Sequence, residues 1–385
     1  MNVSDLVLAM ESIAPLRFAE SWDRVGLLVG DRARPIDGPI VLTIDLTERV
    51  LAEAIEMNAS ALVAYHPPIW QPMSRMTDAT PSERIIRHAV ESRIAIYCPH
   101  TALDATPGGV TDWLCEGISG SGAEGKIAGD CRAITPASTT DATQETKIVT
   151  FLPLEKADMV RSALASAGAG IIGKYSVCSF GVQGEGTFLA GDGARPVIGE
   201  TGRLERAAEV RLEMVCAKRA LPLALATLRQ FHPYEEPAID IYELLPRPER
   251  RAGAGRRLVL DRPCSLMELG QRLKKHLGRA RVQLASVSGP DDLQRTVKVV
   301  GVVPGAGADL APIARSEGCD VFVTGEMKHH EVLAALHTGM SVVLAGHTNT
   351  ERGYLARVST KLAEMLRGCR VIISGQDRDP LVFLA

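Results

Sequence analysis

Two kinds of apolar pattern alternate along the first part of the chain. Continuous apolar runs at residues 40–46, 61–66 and 94–98 are typical of buried strands, whereas apolar residues at helical spacing occupy residues 48–57 and 81–91. Strands and helices that alternate at this interval predict an α/β layer with a largely parallel sheet.

The pattern changes in the middle of the chain. Small and polar residues dominate residues 117–145, which predicts a linker or a domain boundary. The next segment shows the β-α-β-β-α-β order of a ferredoxin-like unit. We place these elements at residues 147–152, 155–167, 175–180, 208–217, 222–231 and 238–243. A long glycine-rich link, which we expect to form a hairpin between the two middle strands, is predicted at residues 181–202, and a second linker, basic and glycine-rich, at residues 247–256.

The alternation of strands and helices returns towards the C-terminal end. Strand-like runs lie at residues 296–303, 321–324 and 341–344. The simplest architecture is one α/β domain that is split in sequence and receives the ferredoxin-like unit as an insertion. We expect the split domain to comprise residues 1–130 and 256–385, and the linkers and the insertion to comprise residues 131–255.

The composition is typical of a soluble globular protein. Of the 385 residues, 46% are hydrophobic, and the net charge of −3 without a basic stripe argues against a nucleic-acid partner. No apolar run approaches the ~20 residues that span a bilayer, and the start of the chain lacks the features of a signal peptide. The eight cysteines include no Cys-x-x-Cys pair, which is typical of reduced thiols in a cytoplasmic protein.

Candidate chemistry begins with His347 and Glu351, which lie four residues apart between an apolar strand and a helix. If the helix begins by Thr348, the two side chains are about one turn apart, roughly 5–6 Å, and both can reach one divalent metal ion. The alternative is structural. In that case Asn349 or Thr350 caps the helix, Glu351 stabilises its positive end and His347 packs.

Other polar residues follow strand-like runs elsewhere in the chain. Tyr65 and His66 end one run, and His100 and Asp104 follow the next. Sites in parallel α/β sheets form beyond the carboxyl ends of the strands, so we expect these residues to lie near His347. Each histidine taken singly also fits a hydrogen-bonded structural role. Together, the histidines and carboxylates predict a mixed nitrogen and oxygen site for a divalent metal.

Two further turns follow strands near the same predicted edge. Residues 305–307, Gly-Ala-Gly, form either a plain turn or an anion contact at the start of a helix. Glu326, Lys328, His329 and His330 either line the mouth of the metal site or begin a solvated helix.

Six motifs, in their order along the chain, resemble the Nif-three-like (NGG-interacting-factor-three-like) family, whose members carry the name GTP cyclohydrolase type 2 homologue. The motifs are WDRVGLLVG at 22–30, YHPPI at 65–69, YCPHTALD at 97–104, GGV at 108–110, TGEMKHH at 324–330 and GHTNTE at 346–351. The middle segment resembles the CutA-like or nitrogen-regulator-like insertion of longer members.

The resemblance implies a site for two divalent ions, zinc or iron, in a toroidal homohexamer built from trimers. Its ligands would be His66, Asp104, His347 and Glu351, with Glu351 as the bridge and His100 nearby.

This chain departs from the family at Tyr65, which stands where many members have a histidine. A phenol, with an ordinary pKa near ~10, is a poorer ligand than an imidazole, so we expect one ion position to be weakened.

Two functions fit these residues. The first is a metal-dependent hydrolase of a nucleotide or another phosphorylated or heterocyclic small molecule, with GTP ring opening as one version. There, His100 or Glu326 would move protons, and Lys328 or the turn at 305–307 would meet a phosphate. The second is a non-catalytic hexameric metal-binding scaffold, metal carrier or regulatory adaptor.

Overall fold

The computed structural model describes residues 1–139 and 141–381. The chain divides into two compact units, which we call the split unit (Met1–Ala137 with Glu249–Ala385) and the inserted unit (Ser138–Pro248). The strands are β1 (Gly26–Val29), β2 (Ile40–Thr43), β3 (Ala61–Ala64), β4 (Ala95–Cys98), β5 (Gly129–Thr139), β6 (Thr146–Leu152), β7 (Phe180–Leu189), β8 (Leu204–Cys216), β9 (Ile239–Glu243), β10 (Arg247–Ser265), β11 (Gln283–Ala285), β12 (Thr296–Val302), β13 (Val321–Thr324), β14 (Ser341–Leu344) and β15 (Val371–Ile373). The helices are α1 (Val3–Ile13), α2 (Glu48–Glu56), α3 (Pro81–Glu91), α4 (His100–Ala105), α5 (Val110–Ser119), α6 (Ala157–Ser166), α7 (Leu221–Phe231), α8 (Leu266–His276), α9 (Ala311–Ser316), α10 (His329–His337), α11 (Asn349–Arg352) and α12 (Leu355–Met365).

Two sheets with parallel centres form the framework of the split unit. The first has the order β1-β4-β3-β2-β15, in which only β1 runs antiparallel to its neighbour. The second has the order β11-β14-β13-β12-β10-β5, with β12, β13 and β14 parallel to one another. Because parallel strands share one direction, the carboxyl ends of β2 to β4 lie along one edge of the first sheet. Those of β12 to β14 lie along one edge of the second.

Helices cover both faces of each sheet, which makes the split unit a mixed α/β fold with several sheets. Strands β2, β3, β4 and β13 are buried along their whole length, so they read as continuous apolar runs in the sequence. Helices α2 and α3 pack on the outer face of the first sheet, and α9 and α10 on the outer face of the second. Helices α1, α5, α8 and α12 fill the space between the sheets in one continuous core.

The inserted unit is a four-stranded antiparallel sheet with two helices. Its elements follow the chain as β6, α6, β7, β8, α7 and β9, and its strands lie in the order β7-β8-β6-β9. Helices α6 and α7 cover one face of the sheet through buried residues that include Val160, Leu164 and Leu228. This is the β-α-β-β-α-β order that the sequence predicts.

Both predicted linker segments contain a boundary between the two units, at residues 137–138 and 248–249, but strands of the six-stranded sheet run through them. Strand β5 runs through the segment predicted as a linker at residues 117–145, and β10 runs through the linker predicted at residues 247–256. Strand β5 buries only Ala133 and Ile134, and the first five residues of β10 are half-buried or exposed. Neither stretch therefore shows the apolar alternation from which a strand is predicted.

The strand predicted at residues 175–180 is also misplaced. Strand β7 begins at Phe180 and continues to Leu189, inside the stretch predicted as a glycine-rich link. Gly186 explains part of this difference, because a Cβ there would lie 2.1 Å from Oε2 of Glu209 on the neighbouring strand. Glycine leaves room for that carboxylate, at the cost of the side-chain pattern that marks a strand.

None of the described helices combines the length and the hydrophobicity that a membrane crossing requires. The eight cysteines all lie within the described ranges and are free thiols. Five of them are buried, namely Cys98, Cys115, Cys216, Cys264 and Cys319.

His276, at the end of α8, should make the stability of the chain depend on pH. Its ring centroid lies 4.4 Å from that of Trp113, and its Nε2 is buried without a hydrogen-bond partner in the described structure. Burial lowers the pKa of His276 below its ordinary value of 6.5, so the unfolded chain takes up this proton more readily than the folded one. The free energy of unfolding should therefore fall as the pH drops below about 6.5. His276→Phe should weaken that fall, which urea unfolding at pH 7.5 and 5.5 can measure. An identical pH dependence in both proteins would contradict this assignment.

Candidate metal centre

Three side chains with metal-binding atoms meet where the carboxyl ends of both sheets border one cavity. His66 follows β3 of the first sheet, and His347 follows β14 of the second. Glu351 lies in α11, the short helix that begins two residues after His347. The parallel centres of the two sheets thus bring together residues that are far apart in the sequence.

The carboxylate of Glu351 lies between two imidazoles. Its Oε2 is 3.5 Å from Nε2 of His66, and its Oε1 is 3.4 Å from Nε2 of His347. One ligand atom from each of the three residues lies within 4.8 Å of the others. The Glu351 side chain is only 3% exposed. Two imidazole nitrogens and one carboxylate form a donor set suited to zinc or iron.

The second ring nitrogen of each of these histidines contacts a carboxylate. Nδ1 of His66 lies 2.9 Å from Oδ1 of Asp45, and Nδ1 of His347 lies 2.9 Å from Oε1 of Glu326. An Nδ1–H held by a carboxylate fixes the ring and directs the Nε2 lone pair towards a metal. Glu326, which the sequence predicts as a proton carrier, thus lies at the nitrogen of His347 that does not face Glu351. Sequence reasoning missed Asp45, and the available signal was that it follows β2 as His66 follows β3.

His100 is fixed by Asp23, which sequence reasoning also missed. His100 begins α4 with a φ of +29°, a strained value for a residue other than glycine. Its Nδ1 lies 2.7 Å from Oδ1 of Asp23, while the amide and hydroxyl of Thr101 donate to Oδ2 at 3.1 and 2.5 Å. Burial raises the pKa of Asp23, but the bonds from His100 and Thr101 outweigh it and lower the pKa. The ring centroid of His100 lies 5.4 Å from that of His66.

Two features of the packing suit a cation beside Glu351. Its Oε2 is buried and has no hydrogen-bond partner among the described residues, although buried carboxylate oxygens normally have one. Gly305 lies against the same atoms with a φ of +61°. A Cβ at this position would come within 2.7 Å of Oε1 of Glu351 and 3.1 Å of Nε2 of His347. Glycine therefore keeps the space beside two donor atoms open.

The charges of the cluster also favour a cation. Burial lowers the pKa of His66, but the hydrogen bond with Asp45 and the nearby charges of Glu351 and Asp45 raise it, with the net result of about 10. Burial raises the pKa of Asp45, yet the contact with His66 leaves that pKa below its usual value. His66 therefore carries a proton between two carboxylates at neutral pH, and a divalent ion would compete with that proton.

Tyr65 and Asp104 are hydrogen-bonded to each other, with the tyrosine hydroxyl donating to Oδ1 of Asp104. Burial and the charge of Asp104 raise the pKa of Tyr65 well above its usual range, so the phenol stays neutral. Burial also raises the pKa of Asp104 well above its usual range, and the charge of Glu351 adds to this. Asp104 borders the cavity but is not one of the three residues whose donor atoms cluster.

The cavity has a volume of about 730 Å³, within the size range of small-molecule sites. His66, His100, Asp104, His347 and Glu351 line it, together with Trp22, Trp70 and the turn at residues 305–307.

Some residues with predicted phosphate or mouth-lining roles are engaged or placed elsewhere. The amides of Gly305 and Gly307 donate to the hydroxyls of Thr350 and Thr324 at 2.9 and 3.0 Å, so these two amides cannot hold an anion. The structure supports the plain-turn interpretation of residues 305–307. Lys328, His329 and His330 are exposed at the start of α10 and do not line this cavity, as the solvated-helix interpretation predicts.

A sequence model described as Duf34/NIF3 (NGG1p interacting factor 3) matches residues 1–380 of the chain. The chain belongs to this family. It is 34% identical over 388 residues to a Bacillus subtilis protein named GTP cyclohydrolase 1 type 2 homolog, with 100% of this chain and 99% of that protein covered. It is 36% identical over 387 residues to NIF3-like protein 1 of Bos taurus, with 99% and 92% covered. The resemblance based on six motifs is confirmed.

Solved structures share the fold. A Bacillus cereus protein related to NIF3 superposes with a TM-score of 0.64 at 29% identity, covering 100% of this chain and 99% of that one. A Staphylococcus aureus protein superposes with a TM-score of 0.73 at 24% identity and the same coverage, and that similarity concerns the fold alone.

Proposed function

We propose that the chain binds a divalent metal ion through His66, His347 and Glu351 and hydrolyses a nucleotide-like small molecule in the cavity around it. The observation that carries this proposal is the buried carboxylate of Glu351, placed 3.5 and 3.4 Å from the Nε2 atoms of two histidines. Zinc and iron both suit this donor set. When bound, such an ion supplies Lewis-acid polarisation of the scissile centre.

The neighbouring side chains have separate roles in this proposal. Asp45 and Glu326 hold the two ligand imidazoles by their Nδ1 atoms, so they are positioning residues. His100 is held in the same way by Asp23 and lines the cavity. Its Nε2 is the group that we propose holds or moves a proton during hydrolysis.

A second ion position is proposed at Asp104, with Glu351 as the bridge. Tyr65 weakens this position in two ways. Its hydroxyl donates a hydrogen bond to the Asp104 carboxylate, which a second ion would have to displace. Its raised pKa also keeps the phenol protonated, and a neutral phenol is a poor ligand.

GTP is the first substrate to test, because a relative that is 34% identical carries the name GTP cyclohydrolase 1 type 2 homolog. The cavity of about 730 Å³ is large enough for a nucleotide. We further propose a cytoplasmic location and a homohexamer built from trimers, which light scattering after size-exclusion chromatography can test.

The alternative is a non-catalytic metal-binding scaffold, metal carrier or regulatory adaptor. The hydrogen bond between Tyr65 and Asp104 favours it, because a single ion held by three residues lacks the two-metal arrangement of many hydrolases. The CutA-like character that we propose for the inserted unit, on the basis of its strand order, fits either function.

Metal content per chain, measured by plasma mass spectrometry on protein purified without chelator, tests the proposal. The wild type should hold about one ion. Tyr65→His should rise towards two, because an imidazole replaces the phenol and Asp104 loses the hydrogen bond from it. Tyr65→Phe is the matched control, since it releases Asp104 without adding a ligand, and should stay near one.

Chromatography of GTP incubated with the same preparations separates the two functions. Loss of GTP with metal-loaded protein, but not after chelation, supports a hydrolase. A metal-loaded protein that leaves GTP and other nucleotides intact favours the scaffold. Wild-type protein purified without any bound metal would overturn both the hydrolase and the metal-binding scaffold.

A further inference from the structure

Two exposed tryptophans lie at the mouth of the metal-binding cavity. Trp22 and Trp70 both line it, and they are 53% and 49% exposed. The remaining tryptophan of the chain, Trp113, is 6% exposed and packs in the core. Large indole surfaces left open beside a cavity are a common mark of a binding site.

The two indoles and His100 form a corner of aromatic rings. The indole centroids are 5.9 Å apart with planes tilted by 57°. Each indole is close to perpendicular to the ring of His100, with centroid distances of 6.1 Å for Trp22 and 6.0 Å for Trp70. A flat ligand cannot enter between indoles so close together. A ring that lies flat on one indole can present its edge to the other, which is a favourable aromatic arrangement.

We infer that Trp22 and Trp70 stack the planar ring of a heteroaromatic ligand, such as a nucleobase, and thereby direct the rest of that ligand towards the metal cluster. The inference rests on the proposed function for the position of the reacting group. His100 links the two parts of the site, because its centroid is 6.0 Å from Trp70 and 5.4 Å from His66. A stacked nucleotide would therefore pass beside His100 on its way to the ligand residues.

The polar groups at the corner argue against a sugar as the stacked ring. Carbohydrate recognition needs side-chain acceptors and donors for several hydroxyls. Here Asp23 is saturated by His100, by Thr101 and by the amide of Arg24 at 2.7 Å. The hydroxyl of Thr101 is engaged as well, since it donates to Asp23 and accepts the amide of Glu20 at 3.0 Å. The open surface that remains at the corner is that of the two indoles together with Glu20, an exposed carboxylate that also lines the cavity.

Binding of GMP, with ribose 5-phosphate as the comparison ligand, tests this inference on the full chain. GMP should quench tryptophan fluorescence saturably, because a purine stacked on Trp22 or Trp70 lowers the fluorescence of that indole. Equilibrium dialysis should then show the dissociation constant for GMP raised by roughly 5- to 100-fold in Trp22→Leu and in Trp70→Leu. Tyr175→Leu is the matched control, since it removes a tyrosine that is 76% exposed in the inserted unit, and it should bind GMP as the wild type does.

Metal content measured in every preparation separates this inference from the proposed function. Saturable GMP binding that persists in chelator-treated protein, and that weakens in both tryptophan variants, supports the stacking corner even if no metal is found. Metal-loaded wild type that binds none of GMP, AMP and UMP would overturn the inference that Trp22 and Trp70 stack a ligand ring. It would leave the proposed metal site standing. Equal binding of ribose 5-phosphate, or unchanged GMP affinity in both variants, would also overturn the stacking inference.

Discussion

Gly305→Ala should remove most of the bound metal while every proposed ligand stays in the chain. The added Cβ would lie 2.7 Å from Oε1 of Glu351 and 3.1 Å from Nε2 of His347, closer than a carbon atom can sit without a shift. Both atoms are proposed metal donors, and Glu351 is too buried to move away easily. We expect metal affinity to fall by roughly 10- to 100-fold, as it does when groups that orient metal ligands are disturbed, and competition with a chromogenic chelator measures this fall.

The control for this variant must have the same backbone strain but no steric clash of the added Cβ. Gly305 has a φ of +61°, so an alanine there is strained by roughly 1–2 kcal/mol whatever surrounds it. Gly278 has a φ of +62° and no atom within 4 Å of the position of a Cβ. Gly278→Ala should therefore lose similar stability and keep its metal.

Glu351→Gln provides the reference for complete loss, because it removes the ligand charge at nearly constant volume. Metal affinity of Gly305→Ala close to that of Gly278→Ala would show that the ion does not occupy the space beside Oε1 of Glu351. That result would require a different coordination from the one proposed. Loss of metal in both glycine variants would point to backbone strain in place of steric exclusion.

The ligand cluster was predictable because strand ends are visible in a sequence. His66 and His347 each follow a short continuous apolar run, and the carboxyl ends of parallel strands gather at one edge. The carboxylates that contact the Nδ1 atoms of the site's histidines were harder to predict. Asp45 and Asp23 act through single contacts with ring nitrogens, and no spacing rule relates a carboxylate to a histidine on another strand.

Gly305 illustrates a second kind of information that the sequence lacks. As one of a pair of glycines after a strand, it suggested a turn or an anion contact, and its amide in fact donates to Thr350. Its role depends on how close the β12 and β14 ends lie, which is a property of the packed sheets. The strands missed in the two linker segments have a related cause, because β5 and the start of β10 bury too few side chains to show a period.

Arg256 is the most consequential residue that was predicted as part of a linker, and Arg256→Met should be strongly destabilising. Its guanidinium is 1% exposed, and its Nε lies 2.5 Å from Oδ1 of the equally buried Asp112. The same group donates to four backbone carbonyls, those of Gly253, Gly255, Ala105 and Thr106. Removing it leaves a buried carboxylate without its charge partner, which typically costs about 3–5 kcal/mol. Guanidinium unfolding followed by tryptophan fluorescence measures the split unit, because all three tryptophans lie in it.

Arg251 offers a matched control on the same carboxylate. Its Nη2 lies 3.9 Å from Oδ2 of Asp112, but its side chain is 62% exposed, so the pair is screened by water and should contribute at most about 1 kcal/mol. Arg251→Met should therefore unfold near the wild-type midpoint, whereas Arg256→Met should unfold far below it. Similar losses of unfolding free energy in the two variants would mean that the net charge near Asp112 contributes more to stability than the burial of Arg256 does. Two of the carbonyls that Arg256 contacts belong to Gly255 and Ala105, which line the cavity. In that case these contacts would not be what stabilises this side of the cavity.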